Sequence, residues 1–491
     1  MQTLDTQDRL LATALSGTAN LVEPLTVVNP VASAVPDDNP SRPVARVLHF
    51  LGLDRAVIFT IMARGWSSLA GVGTLALIAR FLTRAEQGYY YTFYSLVALQ
   101  MIFELGFSVV ILQTASHEAA HLEIHHDGRI TGPAAAYGRL ASVLRKSVRW
   151  YTIGAAAMVC LLLPLGIRFF GSAPPAGPPV AWLGGWCLVV IASGVTFQVD
   201  PTFSFLEGCG FVAGVARVRL LQAMAGTALG WTALSLHHGL YAPGCMIAGQ
   251  AMVGIGYLAR RRGLLKPLLR HTPGVFSVDW QSEVWPFQWR IAVSWVCGYF
   301  ITQLFTPVLF HFRGASGAIE AGQMGMSINI CGTLTGMAIA WMNTKAAPFG
   351  RLIALGDFAQ LDEMFFRALR QSLLAALVAS IAVWSTVLLL RQHHVIFALR
   401  LLPPAPLALL LVTSVANIAV FAEALYLRAH KQEKFMLTSI LGALWMAPAA
   451  FFLGRSYGPV GIAIGYFLGT AVFGLGLGTA TFTKYRRIWH A

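Results

Sequence analysis

Residues 57–82 read VIFTIMARGWSSLAGVGTLALIARFL, and their only charged side chains are Arg64 and Arg80. An α-helix rises ~1.5 Å per residue, so about 20 largely apolar residues cross the hydrocarbon core of a bilayer. This stretch is long enough to do so. The same reading recurs along the chain. Residues 91–114, 149–170, 180–206, 214–236 and 239–259 give five more spans. Residues 286–310, 318–344, 366–390, 402–426, 435–454 and 457–481 give a second six. The sequence predicts an all-α polytopic membrane protein with about twelve transmembrane helices.

The composition agrees. The chain has 491 residues, of which 56% are hydrophobic and 11% charged, whereas soluble domains carry roughly 25% charged residues. The formal net charge of +14 is unevenly placed. Most of the 35 Lys and Arg fall on alternate connections. The other connections hold only Arg80, Arg84, Arg168, Arg313, Arg391, Arg400 and Arg455. The positive-inside rule explains this asymmetry. It predicts both termini and residues 260–285 in the cytoplasm of a bacterial inner membrane, and it removes the case for a nucleic-acid partner. The six cysteines form no C-x-x-C pair, so neither a disulfide framework nor a cysteine metal site is expected. Residues 1–55 are proline-rich and aperiodic. They read as a mostly disordered cytoplasmic tail without the pattern of a cleaved signal.

The connection 260–285 opens with Arg260-Arg261-Arg262 and carries Trp280 and Trp285 near its end. It reads as an amphipathic interfacial segment. It divides the chain into lobes of six spans, residues 56–259 and 286–491, the second ending in a short basic tail. Spans one and seven each carry an arginine near their entry, Arg64 and Arg290. Each is followed by a connection with acid, glycine and glutamine: Glu86-Gln87-Gly88 and Glu320-Ala321-Gly322-Gln323. Six is even, so both lobes enter the membrane in the same sense. The repeat is parallel, about an axis along the membrane normal.

The segment Arg84-Ala85-Glu86-Gln87-Gly88-Tyr89-Tyr90-Tyr91-Thr92-Phe93, followed by Leu99-Gln100-Met101-Ile102-Phe103-Glu104-Leu105-Gly106, resembles the first hairpin of bacterial polysaccharide flippases. These are the Wzx-like members of the multidrug/oligosaccharidyl-lipid/polysaccharide exporter superfamily. Gly322-Gln323-Met324-Gly325 resembles the matching hairpin of their second half. Phe205-Leu206-Glu207-Gly208-Cys209-Gly210 resembles their turn between spans four and five. The resemblance covers residues 56–482; the long amino-terminal tail departs from it. It implies a non-enzymatic transporter that flips polyprenyl-diphosphate-linked oligosaccharide units for O-antigen, capsule or exopolysaccharide. It also implies a cationic central cavity, and a glycan polymerase and chain-length proteins as partners.

Ionisable groups at membrane depth are functional candidates because their burial is unfavourable. Arg64 and Arg290 are the positions expected to face one another and grip the diphosphate, since guanidinium forks match phosphate oxygens. Lys345, at the end of span eight, is a third candidate at the cavity mouth. Glu104, Asp200 and Glu423 could carry a coupling H⁺ or Na⁺, or form ion pairs. Alternatively, Asp200-Pro201 could simply end span four. No cofactor is expected. No P-loop appears, so direct use of ATP is not expected.

His117-Glu118-Ala119-Ala120-His121 is an H-E-x-x-H string, the pattern of zinc hydrolases. It keeps an intramembrane zinc protease open as an alternative, with His117 and His121 as ligands, although the string lacks a clear third ligand. The other alternative is a cation-coupled multidrug exporter of the same superfamily. In span twelve, Gly461, Gly465 and Gly469 predict a face for close helix packing.

Overall fold

The computed structural model describes residues 55–125, 129–173, 178–271, 276–430 and 434–490. The amino-terminal tail therefore lies outside the described residues, apart from Arg55. Among the described residues the chain is helical, save for a two-stranded ribbon, Glu123–Ile124 against Ile130–Thr131.

Seven helices are individually long and apolar enough to cross a membrane, or nine when each of two bent pairs counts as one passage. Val212–Ser235 and Gly317–Asn343 have the length but are more polar. They are spans five and eight. The remaining passage is hidden in Met436–Gly469, which is broken at Gly458 (φ 63°, ψ −142°). The chain reverses there. Trp445 Nε1 donates to the Gly465 carbonyl at 2.9 Å, and Gly454 packs against Ile462. Spans eleven and twelve are thus an antiparallel hairpin, with Gly461, Gly465 and Gly469 against Leu453, Ala449 and Trp445.

Span two departs from the sequence reading. It begins at Arg84, seven residues before the expected start. Thr83 and Glu86 form a capping box, in which Glu86 N donates to Thr83 Oγ1 and Thr83 N donates to Glu86 Oε2. Span two also breaks at Leu105 and Gly106, which have φ of 52° and 66°, and bends by 42°. The start of span seven fills this break, and Gln288 Nε2 donates to the Leu105 carbonyl at 2.7 Å. Span seven, Trp285–Thr302 with Phe305–Phe312, is itself bent by 42°.

Pro201 lies inside span four, Leu183–Gly208, and does not end it. The reading of Asp200-Pro201 as a helix terminator is overturned, because packing carries the helix past the missing N–H. Within each lobe neighbouring spans pack along their length. The lobes meet chiefly where the start of span two lies on spans seven and eight. Gly88 sits so close to Ala318 that an added Cβ would lie 1.9 Å from its carbonyl oxygen. This seam is at the end of the bundle opposite the basic connections.

The connection after span six is docked on span three. Helix Arg262–Arg270 buries Leu264, Leu265 and Leu268 and exposes Arg262, Lys266 and Arg270. Beyond it, Lys146 Nζ donates to the Val278 carbonyl at 2.7 Å, and Val278 N donates to Ser142 Oγ at 3.0 Å.

Candidate functional site

The lobes part toward the basic end, leaving a cavity of about 1330 Å³. Span one contributes Arg64, Ser67 and Ser68; span four contributes Thr196, Asp200 and Glu207; span five contributes Arg219 and Gln222. Gln250 of span six completes this wall, and Thr333, Met337 and Asn343 of span eight form the opposite one. The polarity of spans five and eight has its physical reason here, since the residues that lower their hydropathy include those facing the cavity.

The two arginines are in different states. Arg219 Nε lies 3.4 Å from Glu207 Oε1, its guanidinium sits 6.0 Å from the Phe203 ring, and Asp200 is within its electrostatic reach. Arg64 is exposed, and among the described residues it has no ion-pair partner. Only its backbone carbonyl is engaged, by Ser68 Oγ. Charges in the lining balance, Arg64 and Arg219 against Asp200 and Glu207. The cavity is mixed in charge, which corrects the expectation of a cationic one. Arg64 is its uncommitted cation.

No protein-family model matches the sequence, and no curated protein matches it. Solved structures do. The lipid II flippase MurJ in its inward closed conformation superposes with a TM-score of 0.63 at 12% identity, over 88% of this chain and 90% of that one. A point mutant of the Vibrio cholerae MATE transporter VcmN gives 0.55 at 14% identity, over 88% and 97%. A MOP-superfamily transporter from Pyrococcus furiosus gives 0.52 at 13%, over 89% and 96%. The chain has the MOP transporter fold. At these identities the likeness concerns architecture alone.

Within this MOP fold, the residues singled out from sequence separate. Arg64 and Asp200 line the cavity. Arg290 is exposed, 5.6 Å from the centroid of its neighbour Trp289, and is absent from the lining, as is Lys345, two residues beyond Asn343. The expected facing pair of Arg64 and Arg290 is replaced by Arg64 and Arg219 in one lobe. Glu104 lies deeper in the first lobe, where its Oε1 accepts from Ser108 Oγ, itself 3.3 Å from Tyr151 Oη. Glu423 is buried in the second lobe. Thr479 Oγ1 donates to its Oε1 at 2.8 Å, and its Oε2 has no partner among the described residues.

The H-E-x-x-H string does not assemble as a metal site. Glu118 is 4% exposed and accepts from Arg139 Nε at 2.9 Å, while the side chain of His117 is 77% exposed. Among the described residues no three His, Cys, Asp or Glu side chains converge to hold a metal ion. Arg219 and Glu207 are the charged lining residues that the sequence reading missed. Arg219 looked like one more interfacial arginine at the mouth of span five.

Proposed function

We propose that this chain is a flippase for polyprenyl-diphosphate-linked oligosaccharide units in a bacterial inner membrane, working by alternating access. The basic end faces the cytoplasm, as do both termini. The observation that carries this reading is Arg64, a free guanidinium in a cavity between two lobes that are sealed together at the far end. A diphosphate can take both arms of such a fork. The cavity volume exceeds the roughly 300–1,000 Å³ of ordinary small-molecule pockets, as an oligosaccharide head group requires. The polyprenyl tail stays in lipid while the lobes rock. No bond is made or broken in this cycle, so the reading is a non-enzymatic one. A coupling H⁺ or Na⁺ would act at the buried carboxylates Glu104, Asp200 or Glu423. A glycan polymerase and chain-length proteins would take the exported unit onward.

Asp200 and Glu207 in the same lining favour a second reading, export of organic cations. One experiment separates the two. In a strain lacking its own glycan flippase, Arg64→Ala should abolish glycan export at an unchanged membrane level, and Arg64→Lys should restore only part of it. Full export by Arg64→Ala, together with dye efflux lost in Asp200→Asn, would replace the flippase by a multidrug exporter.

A further inference from the structure

The charges of the translocation cavity are unevenly placed. Among the described residues, every charged side chain of the lining belongs to the first lobe, and the facing wall of span eight offers only uncharged groups such as Thr333 and Asn343. Within the first lobe the signs are separated. Arg64 stands on span one, and among the described residues it has no ion-pair partner. Asp200 stands on span four, half-buried and open to the cavity. Among the described residues no group donates a hydrogen bond to it or lies in ion-pair contact with it. Arg219 acts on Asp200 only through space, while its Nε is 3.4 Å from Glu207 Oε1. Glu104, deeper in the lobe, is a further carboxylate within electrostatic reach of Asp200. The wall thus presents a free cation at Arg64 and a separate, undercompensated carboxylate at Asp200.

A carboxylate accepts strong, charge-assisted hydrogen bonds from hydroxyl and ammonium groups. It repels another carboxylate, the more so where water is scarce. We infer, given the flippase reading on which this rests, that the cavity selects lipid-linked oligosaccharides whose sugars near the diphosphate are neutral or amino-bearing, and rejects units that carry a uronic acid there. The diphosphate takes Arg64, and the hydroxyl or ammonium groups of the following sugars donate to Asp200.

A wall built for acidic sugars needs guanidinium or ammonium groups that no carboxylate of its own has claimed. Here Glu207 holds Arg219, and Arg290 and Lys345 are absent from the lining. Arg64 is engaged by the diphosphate, so no cation is left for a uronate. Asp200 therefore discriminates in two ways, by a bond to the fitting sugar and by repulsion of the wrong one.

The test is equilibrium binding to the full-length protein in lipid nanodiscs, where no ion gradient acts. The probes are undecaprenyl-diphosphate disaccharides that differ only in the second sugar: glucose, glucosamine or glucuronic acid. The glucose and glucosamine units should bind, and the glucuronate unit at least about tenfold more weakly. Arg64→Ala should weaken the binding of every unit. Asp200→Asn should narrow the gap by raising the affinity for the glucuronate unit. Glu207→Gln, which releases Arg219, should do the same, and it carries the test if Asp200→Asn does not fold. Misfolding cannot mimic this result, since it lowers the binding of every unit. Equal binding of all the units by the unaltered chain, or a gap unchanged in both variants, would overturn the inference while a loss in Arg64→Ala still upholds the flippase. Binding of none of the units would overturn the flippase reading, and the inference with it.

Discussion

Gln87 and Arg400 hold the two lobes together at the end of the bundle away from the cavity. Arg400 Nη1 donates to Gln87 Oε1 at 3.1 Å, and Gln87 Nε2 donates to the Arg400 carbonyl at 3.0 Å. Gln87 Nε2 also donates to the Gly322 carbonyl at 2.9 Å, and Arg400 Nη2 donates to the Leu82 carbonyl. Both side chains are buried. The guanidinium is held by neutral oxygens, a set of bonds that water can replace when the seam opens. This is what a reversible gate needs.

Gln87→Ala removes those side-chain bonds and leaves the buried guanidinium short of an acceptor. Hydrogen bonds to charged groups contribute roughly 1.5–3 kcal/mol each, so the sealed state should be weakened by about 2 kcal/mol. A cysteine at Ala321, fully buried in the seam, should then react at least about tenfold faster with an impermeant thiol reagent added from that side. Unchanged reactivity would remove Gln87 from the gate.

Gly88→Ala acts on the same seam by shape. The new methyl would collide with the Ala318 carbonyl, which is backbone and cannot swing aside. Transport should be lost while the protein still reaches the membrane, and the Ala321→Cys probe should become permanently reactive. An active Gly88→Ala would mean that the lobes seal without this contact.

What was legible in the sequence followed from local rules. Apolar length located the spans, and the cost of a charge in lipid drew attention to Arg64. Thr83-x-x-Glu86 was a readable capping box, overlooked because an apolar window placed the helix start later. Other features have no local signature. Leucine at position 105 takes a left-handed conformation only because span seven packs into the break it makes, with Gln288 bonded to its carbonyl. Arg219 differs from a snorkelling arginine only in that Glu207 and Asp200 stand opposite it, and this depends on how spans four and five meet. The charge balance of the cavity could not be read from a list of basic residues, since it is set by which carboxylates share the wall.

Glu118 illustrates the same limit. In sequence it is the central acid of a zinc motif; in the fold it is one end of a bridge. Arg139 donates to Glu118 and, through Nη2, to Glu283 at 2.6 Å. Arg139 thereby holds the Glu283 carboxyl below its ordinary value and ties the inter-lobe connection to the first lobe. Glu118→Gln keeps an acceptor but loses the charge. It should lower stability by ~1 kcal/mol, seen as a small fall in the thermal midpoint, with transport retained and chelators without effect. Stoichiometric zinc in the purified protein, joined to complete inactivity of Glu118→Gln, would revive the protease reading.

Asp362 yields a prediction in pH. It lies just before the apolar run 366–390. Arg486 donates to its Oδ2 from Nε at 2.9 Å and from Nη2 at 2.6 Å, and Tyr426 Oη donates to its Oδ1 at 2.8 Å. Burial alone would raise the carboxyl, but the bonds from Arg486 and Tyr426 prevail and hold it below the ordinary 3.8. A depressed carboxylate contributes stability above its unfolded value, and that contribution is lost as pH falls through the folded value. The carboxy-terminal helix Gly478–Trp489, which carries Arg486, should therefore stay anchored at pH 7 and at pH 5, and loosen only below about 4. Hydrogen exchange of residues 478–489 should show this step. Arg486→Ala should lose the protection of this helix already at pH 7. A release between pH 7 and pH 5, where Asp362 stays ionised, would remove Asp362 from the anchor.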